Sequence, residues 1–330
     1  MYRRAGLLIL LAVVGCVPVT GEGEPSPPAQ AGRDGAIGLT DPPAGASDQN
    51  PAFSPSGARL IFTRFENGYN EGPSAIYLLD PASGEISLLA AAPDSDTVNL
   101  PGGCWNAATG RIAFSSDREG GDEIWTMAED GGDLFRVTHH TTRAHFIEPG
   151  FSPDGAWIVF ESSMGGAGSI WKVRADGSEL TPLVDDPGFE ARQPNWSPNG
   201  DRILFQGRLA GSGDEGWDLY TVAVDGSDRR PVTGHGRPGD APSGETDASW
   251  SPDGRWIVYS SDYGGLPTPD IFVIPSGGGE PIRVTRDPER YNGAPSWSPD
   301  GQWIAFEAHE GDDERPSSLW MIPAPAGTIP

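Results

Sequence analysis

"WSPDGRWIVYSSD" occupies residues 250–262. Pro-Asp-Gly is a tight-turn signal, and here it stands between a tryptophan and a run of β-branched and aromatic residues. Nearly the same phrase returns at 297 as "WSPDGQWIAFEAH" and stands earlier, at 151, as "FSPDGAWIVFESS". Aligned on the turn glycine, further copies open as "FSPSG" at 53, "WNAATG" at 105 and "WSPNG" at 196. The glycine-to-glycine spacings are 53, 45, 45, 54 and 47 residues. A phrase that returns at this period marks a repeat architecture.

Each turn is followed by a strand-like run: "RLIFT", "RIAFSS", "WIVFES", "RILFQG", "WIVYSS", "WIAFEA". A loop and a second run follow, such as "EIWTM" or "DIFVI". Most copies then add a second tight turn and an outer run such as "FRVT" or "IRVT". A unit of four short strands cannot bury both of its faces alone, but packed radially against its neighbours it can, as a β-propeller blade. The expected fold is therefore all-β, a six-bladed β-propeller of four-stranded blades. The sixth copy stops after its third strand. "AIGLTDPPAGASDQNPAF" (36–53) parallels "IRVTRDPERYNGAPSW" (282–297), so the N-terminal strand is expected to complete the last blade and hide a free edge.

The residues before the first-strand aromatic are Ala52, Cys104, Gly150, Asn195, Ser249 and Ser296, all small, as crowding near an axis requires. Ten of the eleven Trp sit at repeat positions and read as inter-blade core, with Trp217 the exception. The phrase P-x-W-S-P-D-G followed by S-S-D-x-G-G resembles the WD40-like (PD40) repeat of the TolB propeller family, over residues 36–330. The second copy, "WNAATG", departs most. The family places an α/β domain before its propeller, and none is read here. The resemblance implies a propeller that binds partner proteins, among them a peptidoglycan-associated lipoprotein.

Gly and Pro number 46 and 33, but they fall at regular intervals between apolar runs, as turns do. The net charge of −25 works against nucleic-acid binding, which relies on Lys and Arg at phosphates. Arg3 and Arg4 precede an apolar run from Leu7 to Val14, and Gly15 precedes Cys16. This is a signal-peptide pattern. Its end, "VVGC", resembles the lipobox of bacterial lipoproteins, which implies lipidation of Cys16. Residues 1–15 are read as signal peptide, 16–35 as lipidated Cys and flexible tether, and 36–330 as propeller. That leaves Cys104 without a disulfide partner, as a small buried hydrophobe. Val17 follows the Cys. By resemblance to enterobacterial sorting, this favours the outer membrane facing the periplasm.

Strand direction puts the SPDG turns on one face of the ring, with no aromatics in those turns. The opposite face collects His139, His140, His145, His235 and His309, with Tyr69, Phe146, Phe189, Trp217, Tyr263 and Tyr291. It is the expected binding face, since exposed aromatics anchor interfaces. Asn50, Glu148, Gln193, Asp247 and Ala294 stand three residues before the first-strand aromatic and are expected at the channel mouth. No metal ligand set is assigned. His139, His140, His145 and Glu148 have the right residue types for zinc, but no H-E-x-x-H spacing occurs. Nor is there a G-x-S-x-G elbow for hydrolase chemistry.

The expected function is a non-catalytic, lipid-anchored envelope protein. Its ring, expected to be monomeric, binds an envelope protein, peptide or glycan without a cofactor. The alternative is a lyase or hydrolase acting on polysaccharide through the His-rich face, with or without a metal.

Overall fold

The computed structural model describes residues 32–92, 94–100, 102–140, 144–164, 168–211, 216–234, 244–311 and 316–328. The leader, Cys16, the tether up to residue 31 and His235 lie outside the described residues.

Six antiparallel sheets follow one another along the chain. The first blade contains Ser47–Phe53, Leu60–Phe65, Ser74–Leu79 and Ile86–Ala91 in that order. The third, fourth and fifth repeat the order. Ring closure is as the sequence implies. Ile37–Gly38 pairs antiparallel with Ser318–Pro323 of the last blade, Ile37 opposite Met321. Thr40 Oγ1 accepts a hydrogen bond from Leu319 N at 2.9 Å. Thr138, Thr233 and Thr285 accept the same bond from Ile124, Leu219 and Ile271 in their own blades. "GLT" therefore stands in for the "RVT" of the other outer strands.

The alternation of each strand decides which neighbour it packs against. In Trp256–Ser261, Ile257 and Tyr259 join Leu204 and Leu219 of the preceding blade. Val258 joins Trp297, Ile304 and Phe306 of the following one. Six apolar clusters result, one at each blade interface. Both faces of every sheet are thus covered, which is why the strands read as nearly continuous apolar runs.

The SPDG phrase is turn chemistry. Ser251 Oγ donates to Asp253 Oδ1 at 2.7 Å and accepts from Trp256 N at 3.0 Å, while Arg255 N donates to the same Asp253 oxygen. Ser152–Asp154–Trp157 and Ser298–Asp300–Trp303 repeat it. These Ser and Asp side chains close hairpins. At the second turn, Gly131 has φ +83°, and an added Cβ would come 2.4 Å from the carbonyl oxygen of Leu89 in the preceding blade. Gly177 stands the same way against Val137. Each of these turns locks its blade to the one before, and only glycine fits.

Candidate functional site: a funnel and a polar mouth on one axis

The inner strand of five blades carries a bulge. The register shifts between Gln49 and Ala52, Ile147 and Gly150, Arg192 and Asn195, Thr246 and Ser249, and Gly293 and Ser296. Inside each shift one residue takes a left-handed backbone: Asn50, Glu148, Gln193, Asp247 and Ala294, with φ between 47° and 56°. These are the residues expected at the channel mouth, and the bulge is what singles them out.

Three of them meet through their side chains. Gln193 Nε2 donates to Asp247 Oδ1 at 2.8 Å and to Glu148 Oε1 at 3.3 Å, linking blades three, four and five. Asn50 joins through its backbone: its N–H donates to Glu307 Oε2 at 2.8 Å, and its carbonyl accepts from Asn99 Nδ2. Ala294 is buried and supplies no polar group.

The sequence reading missed Glu161, Gln206 and Glu307. Gln206 donates to Gln193 Oε1, Glu161 neighbours Glu148, and Glu307 accepts from Tyr69. They share a legible signal. In all six copies a polar residue follows the aromatic of the second strand: Thr63, Ser115, Glu161, Gln206, Ser260, Glu307. An apolar strand that breaks at one register in every copy points to a common inner surface.

Burial governs the electrostatics of this mouth. It raises the carboxyls of Glu148, Glu161 and Asp247, and at Glu148 the charges of Glu161 and Asp247 add to it. Glu307 is pushed up to about 7, chiefly by burial and further by Asp247, against the Asn50 N–H and the Tyr69 hydroxyl. Carboxyls this close together in a confined space favour their neutral forms.

The His-rich face is not the cluster the sequence suggested. Phe146 and Phe189 are core residues, 0 % and 5 % exposed, because they open inner strands and seal the ends of inter-blade clusters. His309 is buried, stacked on Tyr291 at 4.8 Å and tilted against Tyr69 at 5.2 Å. The His140 ring is covered, with Nδ1 2.9 Å from Glu123 Oε1 and Phe146 against its face. His139 and His145 are exposed, and His145 pairs with Asp122. Trp217 is half-buried between the guanidinium groups of Arg192 and Arg208, at 4.7 and 4.3 Å. Tyr263 is half-buried, edge-on to Phe272. Among the described residues no three His, Cys, Asp or Glu side chains are arranged to hold a metal ion.

The SPDG face, read from sequence as bare turns, carries a cavity. A funnel of about 350 Å³ opens there. Its wall is one aromatic per blade: Phe53, Trp105, Phe151, Trp196, Trp250 and Trp297. Pro55, Pro153, Pro198, Pro252 and Pro299 form the rim, with Ala107 in the second blade. These aromatics both pack between blades and line the funnel. Reading them as core alone hid the second role.

The second blade closes the floor. Its inner strand is split into Thr97–Val98 and Trp105–Asn106, and Gly102–Gly103 lie in the gap. An added Cβ at Gly103 would come 2.4 Å from Asn195 Oδ1 and 3.2 Å from Gly150 Cα; one at Gly102 would come 2.8 Å from Ser249 Cβ. Ser249 belongs to the fifth blade, which stands opposite the second in a ring of six. The segment therefore crosses the axis, held by a bond from Phe151 N to Gly103 O at 2.9 Å. Cys104 follows it, fully buried, with its thiol pushed up to about 12 by burial.

The TolB beta propeller domain family (PD40) matches residues 44–240 and 194–318. The chain belongs to this family. It is 32% identical to the uncharacterized protein Atu1656 of Agrobacterium fabrum over 195 residues, 57% of this chain and 62% of that one. It is 31% identical to a protein TolB homolog of Chlorobium luteolum over 196 residues, 59% of this chain and 41% of that one. The matched part is thus less than two thirds of either relative. Among solved structures, an oligogalacturonate lyase in complex with manganese superimposes with a TM-score of 0.58 at 15% identity, over 91% of this chain and 98% of that one. At that identity the likeness is one of fold.

Proposed function

We propose that this PD40 propeller is a non-catalytic binding scaffold of the cell envelope, and that the funnel on its SPDG face receives a neutral segment of a protein, peptide or glycan partner. One observation carries the reading. Every residue lining the funnel is aromatic, Pro, Gly, Ala, Ser or Asn. Such a wall offers apolar and stacking surface with a few amide and hydroxyl groups, the make-up of a recognition pocket. It offers no carboxyl, imidazole or amine within it to move a proton. The floor at Gly102–Gly103 makes it a blind site, suited to holding a protruding tip.

The leader pattern and family membership support an envelope location. Lipidation at Cys16 anchors the protein, with the outer membrane, facing the periplasm, as the proposed site. The alternative, a polysaccharide lyase or hydrolase working through the His-rich face, draws less support because His140 and His309 are covered by their own neighbours.

The test is crosslinked co-purification of the full-length protein from its own membranes, wild type against Ala107→Arg/Pro198→Arg. Both positions are exposed on the funnel rim, outside the clusters that hold the blades together. A partner recovered with wild type and lost with the variant supports the funnel. An equal yield from both places the contact elsewhere.

A further inference from the structure

The turn of the second blade is the odd one on the SPDG face. "WNAATG" has one residue more between aromatic and glycine than "FSPSG" or "WSPDG". Gly110 N therefore donates to Asn106 O, four residues back, where Gly57 N and Gly254 N donate to Ser54 O and Ser251 O, three back. The extra residue carries Gly110 away from the preceding blade. At other junctions the turn glycine sits against its neighbour. An added Cβ would come 3.6 Å from Pro299 at Gly57, 3.7 Å from Pro153 at Gly200 and 3.6 Å from Pro198 at Gly254. At Gly110 it would meet nothing within 4 Å. A groove of about 510 Å³ takes the place of that contact, between Pro55, Ala58 and Arg59 of the first blade and Trp105, Ala107 and Gly110 of the second. Pro55, Trp105, Asn106 and Ala107 also line the funnel, so the two spaces are continuous.

The groove is acidic at its outer end, where Glu129 and Asp130 line it, both exposed. Arg59, on the facing wall, lies close to Asp80 and, after the backbone N–H groups of Ser83 and Ala82, helps hold that carboxyl below its usual range. The groove between blades four and five, by contrast, keeps its proline contact and sets Arg202 and Arg230 against Asp201 and Asp253. We propose that the open groove is the path of an extended peptide of the partner, with its neutral segment in the funnel and a Lys or Arg at Glu129 and Asp130. The inference rests on the funnel reading above and narrows its occupant to a polypeptide. A polypeptide fits because it can carry an uncharged stretch and, a few residues on, a cation on a long side chain. Charge complementarity to Glu129 and Asp130 sets the sign. The blade sets the spacing. Glu129 and Asp130 follow the third strand, Glu123–Ala128, two strand spacings or about 10 Å out from the inner one. An extended chain covers that distance in about three residues, so the basic residue stands some three or four positions from the neutral segment. Exposed ion pairs add little affinity, so this contact selects among sequences while the funnel supplies the binding.

The probe is a phage library of random short peptides, panned against the full chain in detergent. Peptides that also bind Ala107→Arg/Pro198→Arg are discarded, so that only funnel-dependent ones are scored. The expected result is Lys or Arg at least threefold above its library frequency, at three or four positions from an uncharged stretch. Panning against Glu129→Lys/Asp130→Asn should return that position to library frequency, and high salt should weaken the bias in wild type. Both substitutions are at exposed sites, and Asn at 130 keeps the acceptor that Asp130 Oδ1 offers Gly132 N at 2.9 Å. Funnel-dependent peptides without the basic residue, or with a bias unchanged in Glu129→Lys/Asp130→Asn, overturn the groove and leave the funnel reading standing. If no selected peptide depends on Ala107 and Pro198, the funnel reading falls and this inference with it.

Discussion

Tyr69 donates its hydroxyl to Glu307 Oε1 at 2.8 Å across 238 residues of sequence. The bond ties a loop of the first blade to the second strand of the last. The other oxygen of Glu307 accepts Asn50 N–H at 2.8 Å, so one buried carboxyl joins both ends of the ring.

That carboxyl sets a pH dependence. Folding raises Glu307 from 4.5 to about 7. A carboxyl raised on folding stabilises fully below its unfolded value, and the contribution is lost as pH rises through the folded one. Glu148 and Asp247 are raised too and act in the same direction. Chemical denaturation should therefore show stability falling between about pH 4.5 and pH 7, by about 3 kcal/mol from Glu307 alone. Glu307→Gln should flatten this slope. A slope unchanged in Glu307→Gln would assign the titration to another group.

The floor of the funnel makes a second prediction. Gly103→Ala forces a methyl group against Asn195 and the backbone of Gly150. The expected cost is about 1–3 kcal/mol, typical of overpacking. Asn195→Ala removes one of the two obstacles. A double-mutant cycle by urea denaturation should then show that the pair costs less than the sum of the singles. Strict additivity would mean that the two residues do not touch.

Closure by Ile37–Gly38 is reinforced by a side-chain bond that recurs in four blades. Thr40→Ala and Thr285→Ala should each lose about 1 kcal/mol, the net worth of a hydrogen bond. If Thr40→Ala costs nothing while Thr285→Ala does, the N-terminal strand frays and the last blade stands with three strands.

Cys104 should be silent in the native protein. It is fully buried, and a thiol pushed up to about 12 has almost no thiolate near neutrality. Alkylation followed by mass spectrometry should label it only as urea unfolds the chain. Native labelling would indicate that the Gly102–Cys104 segment opens.

The fold was legible because its causes are local and repeated. Turn chemistry at Ser251–Asp253, alternation in Trp256–Ser261 and the Thr40 equivalent of Thr285 are each visible in single copies and reinforced by the others. The candidate site was legible only in part. Glu148, Gln193 and Asp247 were found because they hold one register position. Glu161 and Glu307 hold another, but an acidic residue in so acidic a chain draws no notice until the copies are stacked. Phe146 and Phe189 misled because residues bordering a loop read as exposed, whereas here they cap inter-blade clusters. The Gly102–Gly103 floor was hidden by the irregularity of the second copy. A departure from the repeat looked like noise and is the feature that divides the channel.

The decisive measurement is site-specific photocrosslinking in native membranes, with a benzophenone side chain placed at Ala107 on the funnel rim and, separately, at Leu209 on the opposite face. A discrete adduct at position 107 and none at 209 is the expected result. An adduct at 209 with none at 107 would contradict it, and would return the binding surface to the loop face.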